Sequence, residues 1–443
     1  MTPPRVSAPV GEMKGLWQGE VAVFRGIPYA EAPVGELRWR GPQRRAPFDG
    51  VFDATEWGAT PQRVSLFDVT TVPEPTIEGD DILNLNVLTP ARGFTNPGDS
   101  MPVLVWIHGG GYAAGSAVGS WYDGRSFARD GVIVVTISYR VAFDGFGWLP
   151  GAEPNRGMLD WICALEWVRD NIHAFGGDPD RVTIAGQSAG GGAVLALLAC
   201  ERAQPLFSRA ISLSGIDVCF APAAARQITE EFAGRLGIGA TVDEFDVFSD
   251  AELQGAARRW RDSLADDSVV MYFAPVSGDE LLPRGVHAGL AETGLDKPLL
   301  LGSTTDEFGD STVPGGASAT DVLFRSTCSR VARARRGSSK TWLYSFEWCS
   351  PVTGSATHCA DIPFFFDVLD APGMQDTLGA TPQSLATRLH GEAVGFARGA
   401  ILSWNPASGR RGDEARIYDT VSITASGRYN DVVDAGHHDA PSK

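Results

Sequence analysis

Val182-Thr-Ile-Ala-Gly-Gln-Ser-Ala-Gly190 is the stretch on which the reading of this chain turns. Val182–Ala185 is an apolar, strand-like run. Gly186-Gln-Ser-Ala-Gly190 is a G-x-S-x-G turn, and residues 189–200 follow as a helix of small and apolar side chains. A strand, a sharp turn and a helix in that order make Ser188 a candidate nucleophile. Such a turn strains the backbone at its centre and leaves no space beside it, so glycines flank the serine. The same five residues are common in loops, and they gain meaning only from the chain around them.

Working outward, Val103–Ile107 and Val132–Ile137 are continuous apolar runs of the kind buried on both faces of a sheet. Residues 157–173 carry helical periodicity, with Leu159, Ile162, Leu165, Val168 and Ile172 on one face and Gly176-Gly177 and Asp178-Pro179 as the stop. Further strands are expected over 21–24, 82–88, 210–213, 298–301 and 341–346. Strands alternating with helices indicate an α/β fold with a largely parallel sheet covered on both sides. Residues 220–295 read as mainly helical and Ser311–Ser318 as a mobile loop, so cap or lid insertions are expected within 220–295 and 308–340. No repeat or linker divides the chain, and 1–443 is read as one domain whose tail after Gly427 frays.

Bulk properties narrow the function classes. The 443 residues carry a formal net charge of −17, with 43% hydrophobic and 21% charged residues. That balance supports a sizeable core, and the acidic surface repels nucleic acid and anionic membranes. The basic run Arg330–Arg336 reads as a solvated helix face. The amino terminus lacks an apolar signal region, no stretch is long enough to span a bilayer, and the six cysteines show no C-x-x-C spacing. A cytoplasmic protein with free thiols, no metal and no cofactor is expected.

Acyl transfer by Ser188 needs a base, an orienter for the base and donors for an oxyanion. His108-Gly-Gly-Gly111, just past a buried strand, leaves backbone N–H groups unobstructed; the donors expected are Gly110, Gly111 and Ala189. With the α/β-hydrolase chain order of serine, acid, histidine, His108 and His173 fall too early. His287 precedes any good acid, His390 lies in an amphipathic helix, and His437 and His438 lie in the tail. His358 remains by elimination. For the acid, Asp306 and Glu307 leave the 298–301 strand side by side, and spacing does not choose between them; Asp279 lies in a turn with no strand before it. Tyr112, Gln187 and Phe308 are candidate pocket contacts, and Trp161, Phe220 and Phe364 are aromatics that are more simply core.

Taken together these residues resemble the type-B carboxylesterase and cholinesterase-like family. Phe24-Arg-Gly-Ile-Pro-Tyr-Ala30, Asp80-Asp-Ile-Leu-Asn-Leu-Asn-Val87, Asn155-Arg-Gly-Met-Leu-Asp160 and Asn171-Ile-His-Ala-Phe-Gly-Gly-Asp-Pro179 carry the resemblance beside the elbow. It implies an α/β-hydrolase fold and a serine carboxylesterase acting on a small-molecule ester, with Glu307 as the triad acid and His358 as the triad histidine. The same machinery in such a family also serves amides, carbamates and thioesters, and some relatives are adhesion proteins that have lost catalysis. The implied oligomeric state is open. Three positions depart from the family pattern. Gln187 stands where glutamate is usual, Ile82 where a disulfide cysteine is usual in secreted relatives, and Phe308 where glycine commonly follows the acid. Gln187 removes a negative charge from beside the serine, which implies a preference for uncharged esters.

Overall fold

The computed structural model describes residues 2–68, 70–92, 100–263, 269, 271–338 and 340–432. In chain order its strands are β1 (Arg5–Ala8), β2 (Gly11–Lys14), β3 (Leu16–Gln18), β4 (Val21–Pro28), β5 (Val51–Asp53), β6 (Asn84–Pro90), β7 (Met101–Ile107), β8 (Ile133–Ile137), β9 (Gly177–Gln187), β10 (Arg209–Leu213), β11 (Leu299–Thr304), β12 (Thr341–Phe346), β13 (Glu414–Tyr418) and β14 (Ile423–Ser426). Eleven of them form one sheet in the order β14-β13-β12-β11-β10-β9-β7-β8-β6-β4-β3, and β1, β2 and β5 form a small second sheet. From β8 through β7, β9, β10, β11 and β12 to β13 the pairing is parallel. The strands β6, β4 and β3 at one edge and β14 at the other pair antiparallel.

Alternation along β7 shows why its sequence is apolar throughout. Val103, Val105 and Ile107 join the core on one face of the sheet, while Leu104 and Trp106 join the core on the other. The helix Ala189–Ala199 has no polar face, and every residue in it is buried. The helix Arg156–Asn171 ends in a short 3-10 turn, Ile172–Phe175. Instead of merely stopping that helix, Gly177 opens β9, because it pairs with Met101 across a register shift before Val103 meets Val182.

Two sequence expectations, the solvated arginine run and the fraying tail, are corrected in part. The run Arg330–Arg336 is a solvated face only in part: Arg333 and Arg336 are exposed, whereas Arg330 and Arg335 turn inward. Arg330 pairs with Asp217 at 2.6 Å, and Arg335 is 1% exposed, donating to Thr341 Oγ1 and to the carbonyls of Gly294 and Lys297. Guanidinium groups supply enough donors to bridge the two carbonyls of the loop 294–297, of which Gly294 C=O also accepts from Lys297 N–H. The segment Ser311–Ser318 closes on itself through a Thr312–Ser318 bridge and a Val313 N–H to Ala317 C=O bond. Past Gly427 the chain stays packed through Tyr429, which is buried and donates to the Tyr344 carbonyl, and through buried Val432. His437 and His438 lie outside the described residues.

The Asp160 carboxylate accepts from Arg140 Nε at 2.9 Å and Nη2 at 2.7 Å, with both side chains essentially inaccessible. Arg140 Nη1 also donates to the carbonyls of Arg38 and Arg40, which ties the amino-terminal region to the sheet. Removing one partner of such a pair leaves an uncompensated buried charge. Asp160→Ala is expected to lower unfolding free energy by about 3–5 kcal/mol, read as a shift of the urea midpoint; a shift under about 1 kcal/mol would contradict this account.

Candidate active site

Ser188 joins β9 to the helix Ala189–Ala199 with φ 59° and ψ −124°, a conformation that L side chains rarely adopt. Its N–H donates to Leu213 C=O at 2.9 Å. The flanking glycines are sterically required. A Cβ on Gly190 would lie 2.0 Å from the Ile107 carbonyl oxygen, and one on Gly186 would lie 2.4 Å from that of Gly190.

The loop after β7 runs alongside. Gly110 has φ 104°, and a Cβ there would meet the Ala114 carbonyl at 2.3 Å, so the turn requires glycine. Buried His108 stacks on Tyr139 and bonds the Gly109 carbonyl through Nδ1 at 2.9 Å, holding the loop from beneath. Burial presses the His108 pKa down to about 4, so the ring is neutral. Among the described residues, the N–H groups of Gly110, Gly111 and Ala189 donate to no acceptor. Gly110 and Gly111 line a cavity of about 680 Å³ with Ser188 and His358.

Glu307 follows β11 and is 2% exposed. Its Oε1 accepts from Thr304 N–H at 2.9 Å, and its Oε2 meets His358 Nδ1 at 2.5 Å. The backbones clasp as well, with His358 N–H on Glu307 C=O and Asp306 N–H on Ala356 C=O. The geometry therefore separates the two adjacent acids: Glu307 faces the ring. Asp279 is engaged elsewhere, accepting from Asn155 and from the N–H groups of Leu281 and Leu282.

The His358 ring stacks on Phe308 at 4.8 Å and leans on Phe324 at 5.0 Å. Burial opposes protonation of the ring, but adjacent Cys359 and Glu307 favour it more strongly, so its pKa lies well above the ordinary histidine value. Burial keeps the Cys359 thiol protonated, which leaves Glu307 as the charge acting near neutral pH. When the ring is neutral and its Nδ1 proton is directed at Glu307, Nε2 is an acceptor. The Gln187 amide nitrogen lies 3.2 Å from it, and no described hydrogen bond joins the Ser188 hydroxyl to the ring.

Gln187 and Phe308 both line the cavity, but Tyr112 does not. Positive φ at Gly111 and Tyr112 turns the chain inward, and the Tyr112 ring is fully buried against Phe146 and Trp161. Trp161 and Phe364 are core, and Phe220 is off the cavity. Sequence reasoning missed Phe324, the wall formed by Gln254, Ala257 and Arg258 of the helix Asp250–Asp262, and Glu74. The sequence marks 220–295 as mainly helical without singling out the helix Asp250–Asp262 or the face that lines the cavity, and nothing marks Glu74. Among the described residues no group of three His, Cys, Asp or Glu side chains could hold a metal ion, and no helix is long and apolar enough to cross a membrane.

A model of the carboxylesterase family matches residues 2–314. The chain is 33% identical to the para-nitrobenzyl esterase of Bacillus subtilis over 84% of each chain. It is 35% identical to a probable N-octanoylanthranilate hydrolase of Rhodococcus erythropolis over 82% of this chain and 84% of that one. A thermophilic para-nitrobenzyl esterase structure superposes with a TM-score of 0.86 at 29% identity, covering 98% of this chain and 99% of that chain.

Because Glu307 is the charge that raises the His358 pKa near neutral pH, Glu307→Gln is expected to lower it. Titration of the ring protons by NMR reads this directly, and an unmoved midpoint would contradict the assignment.

Proposed function

This chain belongs to the carboxylesterase family and is a carboxylic ester hydrolase, and from that premise we propose that it works through an acyl-enzyme on Ser188, with His358 as base and Glu307 as its orienter. The observation that carries this reading is the Glu307–His358 contact, at 2.5 Å, on the wall of the cavity that also holds Ser188. The Ser188 oxygen attacks the ester carbonyl carbon as its proton passes to His358 Nε2. The carbonyl oxygen becomes an oxyanion facing the unpaired N–H groups of Gly110, Gly111 and Ala189. Collapse breaks the bond to the alkoxy oxygen, which leaves with the proton from His358. Water then attacks the acyl-enzyme, gives its proton to the same nitrogen, and releases the acid and Ser188. Glu307 holds the ring in the Nδ1–H tautomer and stabilises the imidazolium.

In this reading the Gln187 amide must yield Nε2 to the serine hydroxyl. It brings no charge, and Phe308, Phe324, Leu323 and Met271 add apolar wall, which together favour an uncharged ester near neutral pH. One domain spanning 1–443 carries the reaction, with the helices of 222–262 as its cap. Six free cysteines support a reducing, cytoplasmic setting.

Ser188→Ala should lower kcat by about 10⁶ if the three residues act as a unit, measured on a para-nitrophenyl ester; near-normal turnover would end the assignment. Gln187→Glu should move the pH midpoint of kcat/KM upward, since a carboxylate beside the ring favours its charged form. A pH–rate profile checks this, and a midpoint that falls or stays in place contradicts it.

A further inference from the structure

Two phenyl rings pack on the imidazole of His358, and no step of the proposed hydrolysis yet uses them. Phe308 follows Glu307 directly. One short stretch of chain therefore supplies both the carboxylate that engages the edge of the imidazole, at 2.5 Å, and an aromatic ring that covers its face. The Phe308 and His358 centroids are 4.8 Å apart and their planes lie 27° from parallel, a stacked pair. Phe324, which is buried, meets the same imidazole at 5.0 Å with a tilt of 54°, and the two phenyl rings touch at 5.6 Å.

Both phenyl rings are held by contacts of their own. The Phe308 N–H donates to Thr320 Oγ1 at 3.3 Å, at the start of the π-helical turn Thr320–Arg325 that carries Phe324. The helix that follows, Ser326–Ala334, is anchored by Thr327 and Arg330 on the Asp217 carboxylate. A single contact to Glu307 leaves the imidazole free to rock about the Nδ1–Oε2 line, and two packed aromatic faces oppose that motion. Such restraint has a use here. Nε2 meets the Gln187 amide at 3.2 Å, and the ring must keep its place while that partner is exchanged for the Ser188 hydroxyl.

A phenyl face also attracts the charged imidazole more than the neutral one, because its quadrupole presents negative charge to a cation within about 6 Å. In the active form His358 is neutral, and it becomes an imidazolium as the Ser188 proton arrives. The stack is therefore stronger in the transition state than before it. Other groups around the ring do not supply this. Beyond His358 in the chain, Cys359 stays a thiol and Asp361 accepts the Tyr344 hydroxyl at 2.9 Å. On the π-helical turn Asp321 pairs with Arg325, and on the cavity wall Glu74 accepts the Tyr122 hydroxyl at 3.2 Å. Asp306 adjoins Glu307 in the chain, but of the charged groups among the described residues Glu307 alone hydrogen-bonds the ring.

We propose that Phe308, together with Phe324, is a positioning residue for ester hydrolysis: it fixes the plane of the His358 ring and, through its π face, stabilises the imidazolium formed in the transition state. The inference rests on the active site proposed above.

Phe308→Leu keeps an apolar side chain over the imidazole and removes the π face. On a para-nitrophenyl ester, at the alkaline plateau of the pH profile, kcat should fall about two- to fivefold. KM should stay in place, since the neutral ring of the ground state loses little. The His358 midpoint, read by NMR of the ring protons without substrate, should fall by about half a pH unit, because the charged form loses its partner. Phe308→Tyr restores a π face and should return both quantities to their wild-type values. Phe308→Gly removes the packing as well, so kcat should fall by more than about tenfold as the base loses its orientation. Its Nδ1 proton resonance should broaden through exchange with water. A residue that only walls the cavity would instead change KM and leave the ring midpoint where it was. That result in Phe308→Leu overturns the proposal, and so does a Phe308→Tyr variant that behaves like Phe308→Leu. The ring titration needs no turnover, so it tests Phe308 separately from the serine assignment, which Ser188→Ala tests.

Discussion

The first turn of the helix Ala189–Ala199 is pressed onto the backbone of β7, so closely that a Cβ on Gly190 would lie 2.0 Å from the Ile107 carbonyl oxygen. The next residue of the same turn is also constrained, since a Cβ on Gly191 would lie 2.7 Å from the Gly215 Cα. Ile107 is also the last residue of β7, immediately before His108 and the three glycines. One backbone contact therefore fixes both the height of Ser188 above the sheet and its distance from the loop whose N–H groups lack acceptors. A larger residue at 190 would lift the helix and pull these two halves of the site apart. This is also why a fully apolar helix is needed here: with no polar face to solvate, it can be buried this deeply between the sheet and the helix Gly285–Leu290.

Around that scaffold the cavity manages charge in three ways. Glu307 is buried but paired, and its carboxylate is satisfied by the Thr304 N–H and the His358 ring. Gln187 avoids charge altogether beside the serine. Glu74 has neither a countercharge nor enough solvent, and it responds by holding its proton to about pH 8. Those three solutions make the electrostatics of the cavity depend on pH through His358 and Glu74.

Legibility in the sequence followed the physics of each element. Backbone-limited features were readable, because glycine at 186 and 190 and the apolar run 103–107 have few alternatives. The base was found by elimination among seven histidines. The choice of Glu307 over Asp306 required geometry or resemblance, because adjacent residues carry no periodicity to separate them. Side-chain direction in loops was not readable: Tyr112 follows the glycine loop and turns into the core through a positive φ that no local pattern announces. Arg335 looked solvated by composition and is buried by three hydrogen bonds. Glu74 sits in a proline-flanked loop, and its importance comes from Tyr122, 48 positions away in the chain.

The Gln187–His358 contact raises a question of competition for one lone pair. A neutral hydrogen bond of this kind contributes about 0.5–1.5 kcal/mol net. Displacing it by the serine hydroxyl therefore lowers the rate by about tenfold at most, since each 1.4 kcal/mol is about a factor of ten. Against a triad worth about 10⁶ in kcat, that loss is small, and it brings a compensating property. A carboxylate at 187 would hold the ring in its imidazolium form and withdraw the base over part of the neutral pH range. The amide adds nothing to the preference for the imidazolium that Glu307 already imposes.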